Sequence, residues 1–456
     1  MLDIKFIRQN PDVVKEGCRK KQVKIDIDRL LEVDKKRREV LQALEDMRAQ
    51  KNKASKEISG TKGEEYKSSS SPFAAARVDE KEKQKIILKM RELDKNSDRL
   101  NGTLKVLRGE FQNLMLLIPN LPFDDVPVGR DERENVVLRE FGEKPKFAER
   151  SLISRPRSTR AFDFKFKDYL EIVQNLDLID VKRAAKTSGT RFGFLKGEAA
   201  LLEFALINFA FDTLTKEGFI LIVPPVMIKP EMMKGMGYTE RGGEEIYFIE
   251  KDNLYLVGTS EQIIGPMHAD EIFEEKELPK RYLGFSTCFR REAGSYGKDT
   301  RGIFRVHQFD KVEMFSFCHP EKSKEEHQLL LSLEEKLMRA LKIPYRVVQM
   351  CTGDLGDPAA AKYDIEAWLP GENRYRETHS TSNCTDFQAR RLNIRYRDSK
   401  TKKLEFVHTL NGTAFAIGRT LIAIIENYQQ KDGSILIPAV LQPYLNNLRK
   451  IERKNP

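Results

Sequence analysis

The chain has 456 residues, 33% of them charged and 40% hydrophobic, and 80 Lys plus Arg against 70 Asp plus Glu leave a net charge of +10. Such a composition excludes a disordered or fibrous chain, and the length calls for a large domain plus a second unit. No run of about 18 apolar residues occurs, and the opening MLDIKFIRQNPDVVKEG carries acids and lacks an apolar signal core, so the expectation is a cytoplasmic protein without a membrane span. The five cysteines (Cys18, Cys288, Cys318, Cys351, Cys384) are odd in number and include no CxxC pair, which fits reduced thiols and argues against structural zinc. The basic balance permits a nucleic-acid partner without requiring one.

Residues up to about Leu117 read as helix. Ile86, Met90, Leu93, Ser97, Leu100, Leu104, Leu107, Phe111 and Leu114 step by four and three, and all but Ser97 are apolar, which is a coiled-coil seam. Upstream, Leu30, Val33, Val40, Leu44, Met47, Ala54 and Ile58 form a weaker seam broken by Arg37 and Lys51. The Ser- and Gly-rich SGTKGEEYKSSSSPFAAAR between them, with Pro72, predicts the tip of an antiparallel helical hairpin. Such a hairpin could dimerise, act as a spacer, or bind a rod-shaped partner. Between Lys35 and Lys56, eight basic residues stand against three acids. That run is either a solvated face or a phosphate-contacting one, with Arg38, Lys51 and Lys53 as candidate contacts. The prolines of IPNLPFDDVPVG then end the helical part. The expected division is a helical arm over 1–118, a linker over 119–135 and a mixed domain over 136–456.

Beyond the linker, LLEFALINFAFDTLTKEGFILIVPPVM reads as helix then strand. LYLVGTSEQ, GFSTCFRRE, IFRVHQFDKVEMF, YDIEAWLP and FVHTLNGTAF read as strands joined by short or Gly-containing links. This predicts an α+β domain, a mainly antiparallel sheet flanked by helices. Neither GxxxxGK[ST] nor a GxGxxG opening a helix is present, so no P-loop or Rossmann site is supported.

Three stretches could carry chemistry. In FSTCFRREAGSYGKDTRGIFRVHQFDKVEMF, alternation puts Arg290 and Glu292 on one face of a first strand and Arg291 on the other, with Arg305 and Glu313 sharing a face of the return strand. Lys298 and Arg301 lie in the loop between them. Charges on a half-buried sheet need partners, so this is either structural ion pairing or a polyphosphate platform. In YRETHSTSNCTDFQARR, Glu377, Ser380, Thr381, Ser382, Asn383 and Asp386 suit either a Mg²⁺ site completed by phosphates or an N-capping run before DFQARR. In NGTAFAIGRTLIAIIENYQ a strand runs into a helix with Gly418 and Arg419 at the junction, which fits a flat anionic ligand or a plain turn. His307 and His379 have no Ser or Cys partner in the sequence that argues a nucleophilic triad.

TSEQ (Thr259–Gln262), FRREAGSYGKDTRGIFRVHQFDKVE, RETHSTSNCTDFQARR and TLNGTAFAIGRTLIAIIENYQ, with MLDIKFIRQNPDVV and DVKRAAKTSGTRFGFLKGEAALLEFALINF, resemble the signature blocks of seryl-tRNA synthetases, a class II aminoacyl-tRNA synthetase family. The resemblance runs nearly end to end and implies a homodimer. It implies that Arg290 and Arg419 are catalytic, contacting ATP from two sides, and that Arg291, Glu292, Val306, Glu377, Thr378, His379 and Ser380 line the ATP site. Glu377 and Ser380 would hold Mg²⁺ with the ATP phosphates. Thr259, Ser260, Glu261, Arg290, Glu313 and Thr413 would bind L-serine. The arm would lie along tRNA(Ser), with tRNA(Sec) as a further acceptor. His379, Thr381 and Thr413 depart from many bacterial relatives, which have Ser, Cys and Ser there. The rare zinc-dependent branch is not resembled. Two other readings stand beside this one: a synthetase-like ligase charging a carrier protein, whose truncated forms lack the arm, and a non-catalytic tRNA-binding paralogue, which would have lost Arg290, Glu313 or Arg419.

Overall fold

The computed structural model describes residues 1–63, 80–147, 161–240, 243–293, 299 and 301–453. It divides into two compact units: Ile4–Lys15 with Lys24–Ile118, and Met1–Asp3, Glu16–Val23 and Pro119–Pro456.

In the first unit two long helices, α1 (Ile27–Gly63) and α2 (Glu80–Leu117), run as a pair. Every position of the predicted α2 seam is at least half-buried, while most of its flanking residues are exposed, so the four-three spacing is the contact line. The two breaks in the α1 seam each meet a residue of α2. Arg37 lies over the Phe111 ring at 4.3 Å and pairs with buried Asp34 at 2.8 Å, and Lys51 pairs with Asp94. The side chain of Ile58 and most of the predicted tip lie outside the described residues; the backbone of Ser59–Gly63 still belongs to α1.

The second unit is built on an eight-stranded sheet. Its strands in chain order are β1 (Val136–Phe141), β2 (Ile220–Ile222), β3 (Lys280–Phe289), β4 (Gln308–Cys318), β5 (Tyr345–Gln349), β6 (Ala361–Leu369), β7 (Arg374–Asn383) and β8 (His408–Ala416). Their spatial order is β1-β5-β6-β7-β8-β4-β3-β2, antiparallel throughout except for the edge pair β3–β2. One face is apolar: Val312, Met314, Ile365, Ala367, Leu410 and Phe415 join Leu330, Leu337, Leu421 and Ile424 in one core. These last four come from helices α4 (Ser323–Ala340) and α5 (Ile417–Asn427); α3 (Glu198–Leu214) adds Leu202 and Leu206 to the same core. Alternation requires the other face to carry Lys311 and Glu313 on β4 and Asn411 on β8, and these are the residues that line a cleft.

The predicted linker is not a free spacer. Asn120 is buried, its amide donating to Pro358 O and Cys384 O at 2.8 and 2.9 Å, and Val126 packs with Val348, Met350 and Leu355. Within the expected arm 1–118, Met1–Asp3 and Glu16–Val23 belong to the sheet-bearing unit, which the chain re-enters at Pro119. Buried Lys21 donates to Gly356 O, Asp357 O and Ala359 O.

Candidate active site

Two β-bulges shape the cleft face. Between β4 and β8 the register passes from Val312↔Phe415 to Glu313↔Thr413, leaving Ala414 as the extra residue. Phe415 therefore turns into the core and Thr413 stands beside Glu313. Between β6 and β7 it passes from Ile365↔His379 to Glu366↔Glu377, leaving Thr378 extra. Glu377 and Ser380 are three apart and would lie on opposite faces of a regular strand; the bulge brings both into one cleft wall. The capping reading holds only for position: Glu377–Asn383 is strand, and Asp386 stands at the N-cap of Phe387–Leu392 without a side-chain cap bond, accepting instead from Arg390 Nε at 2.6 Å.

Arg290, Glu292, Arg305, Val306, Phe309, Lys311, Glu377, Ser380, Thr413, Gly418 and Arg419 share one cleft lining. The strand reading of the opening stretch needs correction. β3 ends at Phe289 and β4 starts at Gln308, so Arg290, Glu292 and Arg305 lie in the connecting loop. Backbone bonds, not alternation, place them: Arg290 N donates to His307 O at 2.9 Å and His307 Nδ1 lies 3.0 Å from Arg290 O. Glu292 sits at φ 53°, a left-handed conformation unusual for a residue with Cβ, and pairs with Arg305 at 2.6 Å. Arg291 is exposed and is not among the cleft-lining residues. Lys298 lies outside the described residues.

The Arg290 guanidinium lies over the Phe309 ring at 5.2 Å, with Nε donating to Gly258 O at 3.2 Å. Arg419, in the first turn of α5, lies 4.9 Å from the Phe304 ring and 3.2 Å from the Glu377 carboxylate. Burial alone would raise the acid of Glu377, but Arg419, Lys362 and Arg290 draw it down to about 2, so it is a fixed anion. Thr378 and His379 touch the cleft wall, yet both side chains are satisfied or packed elsewhere. Thr378 Oγ1 bonds Ile365 O, and the His379 ring packs 5.7 Å from Phe415, with burial holding it neutral at about 4.

The adjoining part of the cleft holds Thr259, Glu261, Gln262, Lys311, Glu313 and Asn411. Glu261 opens the short helix Glu261–Ile264, which lies against Gly284 of β3; a Cβ there would fall 2.6 Å from Ile264 Cδ1, so glycine is what admits the helix. Lys311 Nζ reaches Glu313 at 2.7 Å and Thr259 Oγ1 at 3.0 Å. Burial pushes Glu313 up to about 7 against the pull of Lys311. Ser260 departs from expectation: it is fully buried, its hydroxyl 3.4 Å from Gly284 O, and is not among the cleft-lining residues. Sequence reading missed Lys311, which shares parity with Glu313 and was available by alternation. It also missed Tyr238 and Lys362, which arrive from distant segments with no local signal.

The polar side of an antiparallel sheet and its flanking loop and helix thus bring together four cationic side chains, Arg290, Arg305, Lys311 and Arg419, and an ionised glutamate beside an adjoining polar part of the cleft. Known proteins carry the same arrangement of sequence. Residues 247–428 match the family described as tRNA synthetase class II core domain (G, H, P, S and T), and residues 1–122 match the seryl-tRNA synthetase N-terminal domain. The serine–tRNA ligase of Dictyoglomus turgidum is 46% identical over 449 residues, 98% of both chains. Among solved structures, seryl-tRNA synthetase from Pyrococcus horikoshii complexed with ATP is 40% identical, with TM-score 0.87 over 100% of both chains. The cytoplasmic serine–tRNA ligase of Naegleria fowleri in complex with AMP is 33% identical, with TM-score 0.82 over 100% of this chain and 99% of that one. Matched at both ends and across its whole length, the chain belongs to the seryl-tRNA synthetase family of class II aminoacyl-tRNA synthetases.

Proposed function

We infer that this chain is a serine–tRNA ligase: it joins L-serine to ATP as seryl-adenylate, releasing pyrophosphate, and passes serine to the 3′ end of tRNA(Ser), with tRNA(Sec) as a further acceptor. The observation that carries the reading is the shared lining of Arg290, Arg419 and ionised Glu377 with Lys311 and Thr413, where Thr413 is the cross-strand neighbour of Glu313 in the adjoining part of the cleft. In the first step the serine carboxylate attacks the α-phosphorus and pyrophosphate leaves. That displacement needs alignment and charge neutralisation more than proton transfer. Arg290 and Arg419 supply fixed positive charge, with the fork geometry that suits phosphate oxygens. Glu292 and Val306 line the nucleotide's side. Thr259, Glu261, Glu313 and Thr413 form the serine pocket, where acceptors left unpaired by alanine would reject it by roughly 10⁴-fold.

A divalent cation accompanies ATP in this reading, and Mg²⁺ is the one proposed. Glu377 and Ser380 offer hard oxygen donors on one wall, which fits Mg²⁺. Among the described residues no group of three His, Cys, Asp or Glu side chains is arranged to hold a metal, so phosphates and water would complete the shell. Bound there, the ion would neutralise charge on the phosphates and leaving group.

The protein acts as a homodimer in this reading. Leu201 and Phe204 of α3 are 53% and 60% exposed, and edge strand β2 with Val223 leaves Ile220 at 52% and Val223 at 73%. Such a patch suits a second copy. Phe204→Glu should shift the protein to monomer in sedimentation, and an unchanged mass would refute that interface. The arm is the tRNA-binding element. Arg38 and Lys51 already pair with Asp34 and Asp94, leaving exposed Lys53 the best placed of the three candidates. The cytoplasm is the proposed location; among the described residues no helix is long and apolar enough to cross a membrane.

The deciding experiment is ATP–pyrophosphate exchange across the twenty amino acids. Exchange with serine, and only traces with alanine, glycine or threonine, is expected. Strong exchange with another amino acid, or none with serine, overturns the assignment.

A further inference from the structure

Tyr238 follows the helix Pro230–Met236, which ends at Gly237 in a left-handed conformation with φ 86°. A Cβ on Gly237 would lie 3.1 Å from Phe387 Cε1, so both the backbone angle and the space call for glycine there. The turn delivers Tyr238 to the cleft, where it joins Thr259, Glu261, Arg290 and Glu313 in one lining. Its hydroxyl donates to Glu261 Oε1. Burial first, and then the charge of Glu261, push the phenol well above its ordinary range, so it stays protonated and remains a donor.

A glutamate that shares a cleft lining with Lys311 has an obvious competing partner. Lys311 already holds Glu313 and Thr259, and a mobile Glu261 could swing toward the same cation. Glu261 is 5% exposed, so little water is present to hold it instead. A tyrosine hydroxyl is a neutral donor. It fixes one carboxylate oxygen without cancelling the charge, and the other oxygen keeps its attraction for a cationic ligand group.

We propose that Tyr238 is a positioning residue for amino-acid recognition: its hydroxyl anchors one oxygen of Glu261 and thereby holds the other for the ammonium group of serine. This deepens the reading of Thr259, Glu261, Glu313 and Thr413 as the serine pocket and rests on it. Tyr238 touches Glu261 rather than the reacting atoms, so its effect falls on serine binding and not on phosphoryl displacement.

Tyr238→Phe keeps the ring and removes only the donor. In serine-dependent pyrophosphate exchange by the full chain, KM for serine should rise about ten-fold, the scale of losing one hydrogen bond to a charged group. The kcat and KM for ATP should stay within about two-fold. In a Glu261→Gln background, adding Tyr238→Phe should change KM for serine little, because the charged acceptor is already gone. An unchanged KM for serine in Tyr238→Phe, a parallel loss in both substrates, or full additivity with Glu261→Gln overturns the proposal. Absence of serine-dependent exchange in the unmodified protein would overturn the ligase reading instead, so the two failures are distinct.

Discussion

Arg290→Ala is the sharpest test of how the cleft works. The backbone of Arg290 is pinned to His307 by bonds of 2.9 and 3.0 Å, and its guanidinium is held by Gly258 O and the Phe309 ring. The charge is therefore in place before ATP arrives and costs little reorganisation in the transition state. A unit charge about 4 Å from another at an effective dielectric of about 20 is worth ~4 kcal/mol. Bound ATP already feels part of that. The part gained only as charge develops should match the loss of one preorganised donor, about 10²-fold in kcat, or ~2.7 kcal/mol. Arg290→Lys keeps the charge and loses the Nε bond and the fork, so an intermediate loss of about ten-fold is expected. Arg291→Ala is the control. Its side chain is exposed outside the cleft, its N–H bonds Glu245 O at 2.9 Å regardless of side chain, and exchange should stay within about three-fold of the unmodified protein. Serine-dependent pyrophosphate exchange measures all three. Equal losses at 290 and 291, or a larger one at 291, would refute the assignment of the cation.

Glu313 is pushed up to about 7, mainly by burial, so KM for serine should climb as pH falls below about 7 while KM for ATP moves less; a flat serine KM between about pH 6 and 8.5 would refute its role as an ionised acceptor. Glu334 of α4 is fully buried with both carboxylate oxygens lacking a hydrogen-bond partner, and burial, with Glu313 and Asp364, pushes it well above 4.5. A proton held more tightly in the folded state stabilises fully at low pH, and that stability is lost as pH rises above 4.5; Glu334→Gln, neutral throughout, should therefore raise Tm at about pH 8 and change it little at about pH 5, and an equal shift at both would refute the linkage. Arg48 and Lys53 are exposed on α1, so reversing both to Glu should raise KM for tRNA in aminoacylation and flatten its salt dependence while leaving pyrophosphate exchange intact; unaltered charging would make the arm a spacer.

The arm was legible because a coiled-coil seam is a one-dimensional pattern. Even the interruptions at Arg37 and Lys51 carried information, though their partners Phe111 and Asp94 lie on the other helix and could be found only in three dimensions. The mainly antiparallel sheet was legible for a similar reason, since its strands alternate. The excursion of Glu16–Val23 into the sheet-bearing unit was not. Lys21 reads as one more surface lysine of a helical segment, yet three carbonyls around Gly356 bury it. Nor could the proline-rich stretch reveal that Asn120 is held by Pro358 and Cys384.

The site divides along the same physical line. Alternation assumes an unbroken pleat, and the residues that matter most sit where the pleat breaks. It placed Arg290 and Glu292 on a strand that ends one residue before Arg290, so their shared cleft arises from loop hydrogen bonds and a left-handed Glu292. It would separate Glu377 from Ser380, and only the extra residue Thr378 brings them together. It would put Phe415 beside Thr413 in the cleft, and only the extra residue Ala414 sends the ring into the core. A bulge costs a ladder bond and its twist, so a strand keeps one where the shifted parity gains something. Here the gain at both bulges is similar: an oxygen-bearing side chain, Thr413 or Glu377, lines the cleft, while Phe415 enters the core and the His379 ring packs against it. Removing one residue at either bulge, by deleting Thr378 or Ala414, should therefore leave the register of neighbouring strands recognisable while abolishing activation, because every side chain on one side of the deletion changes face.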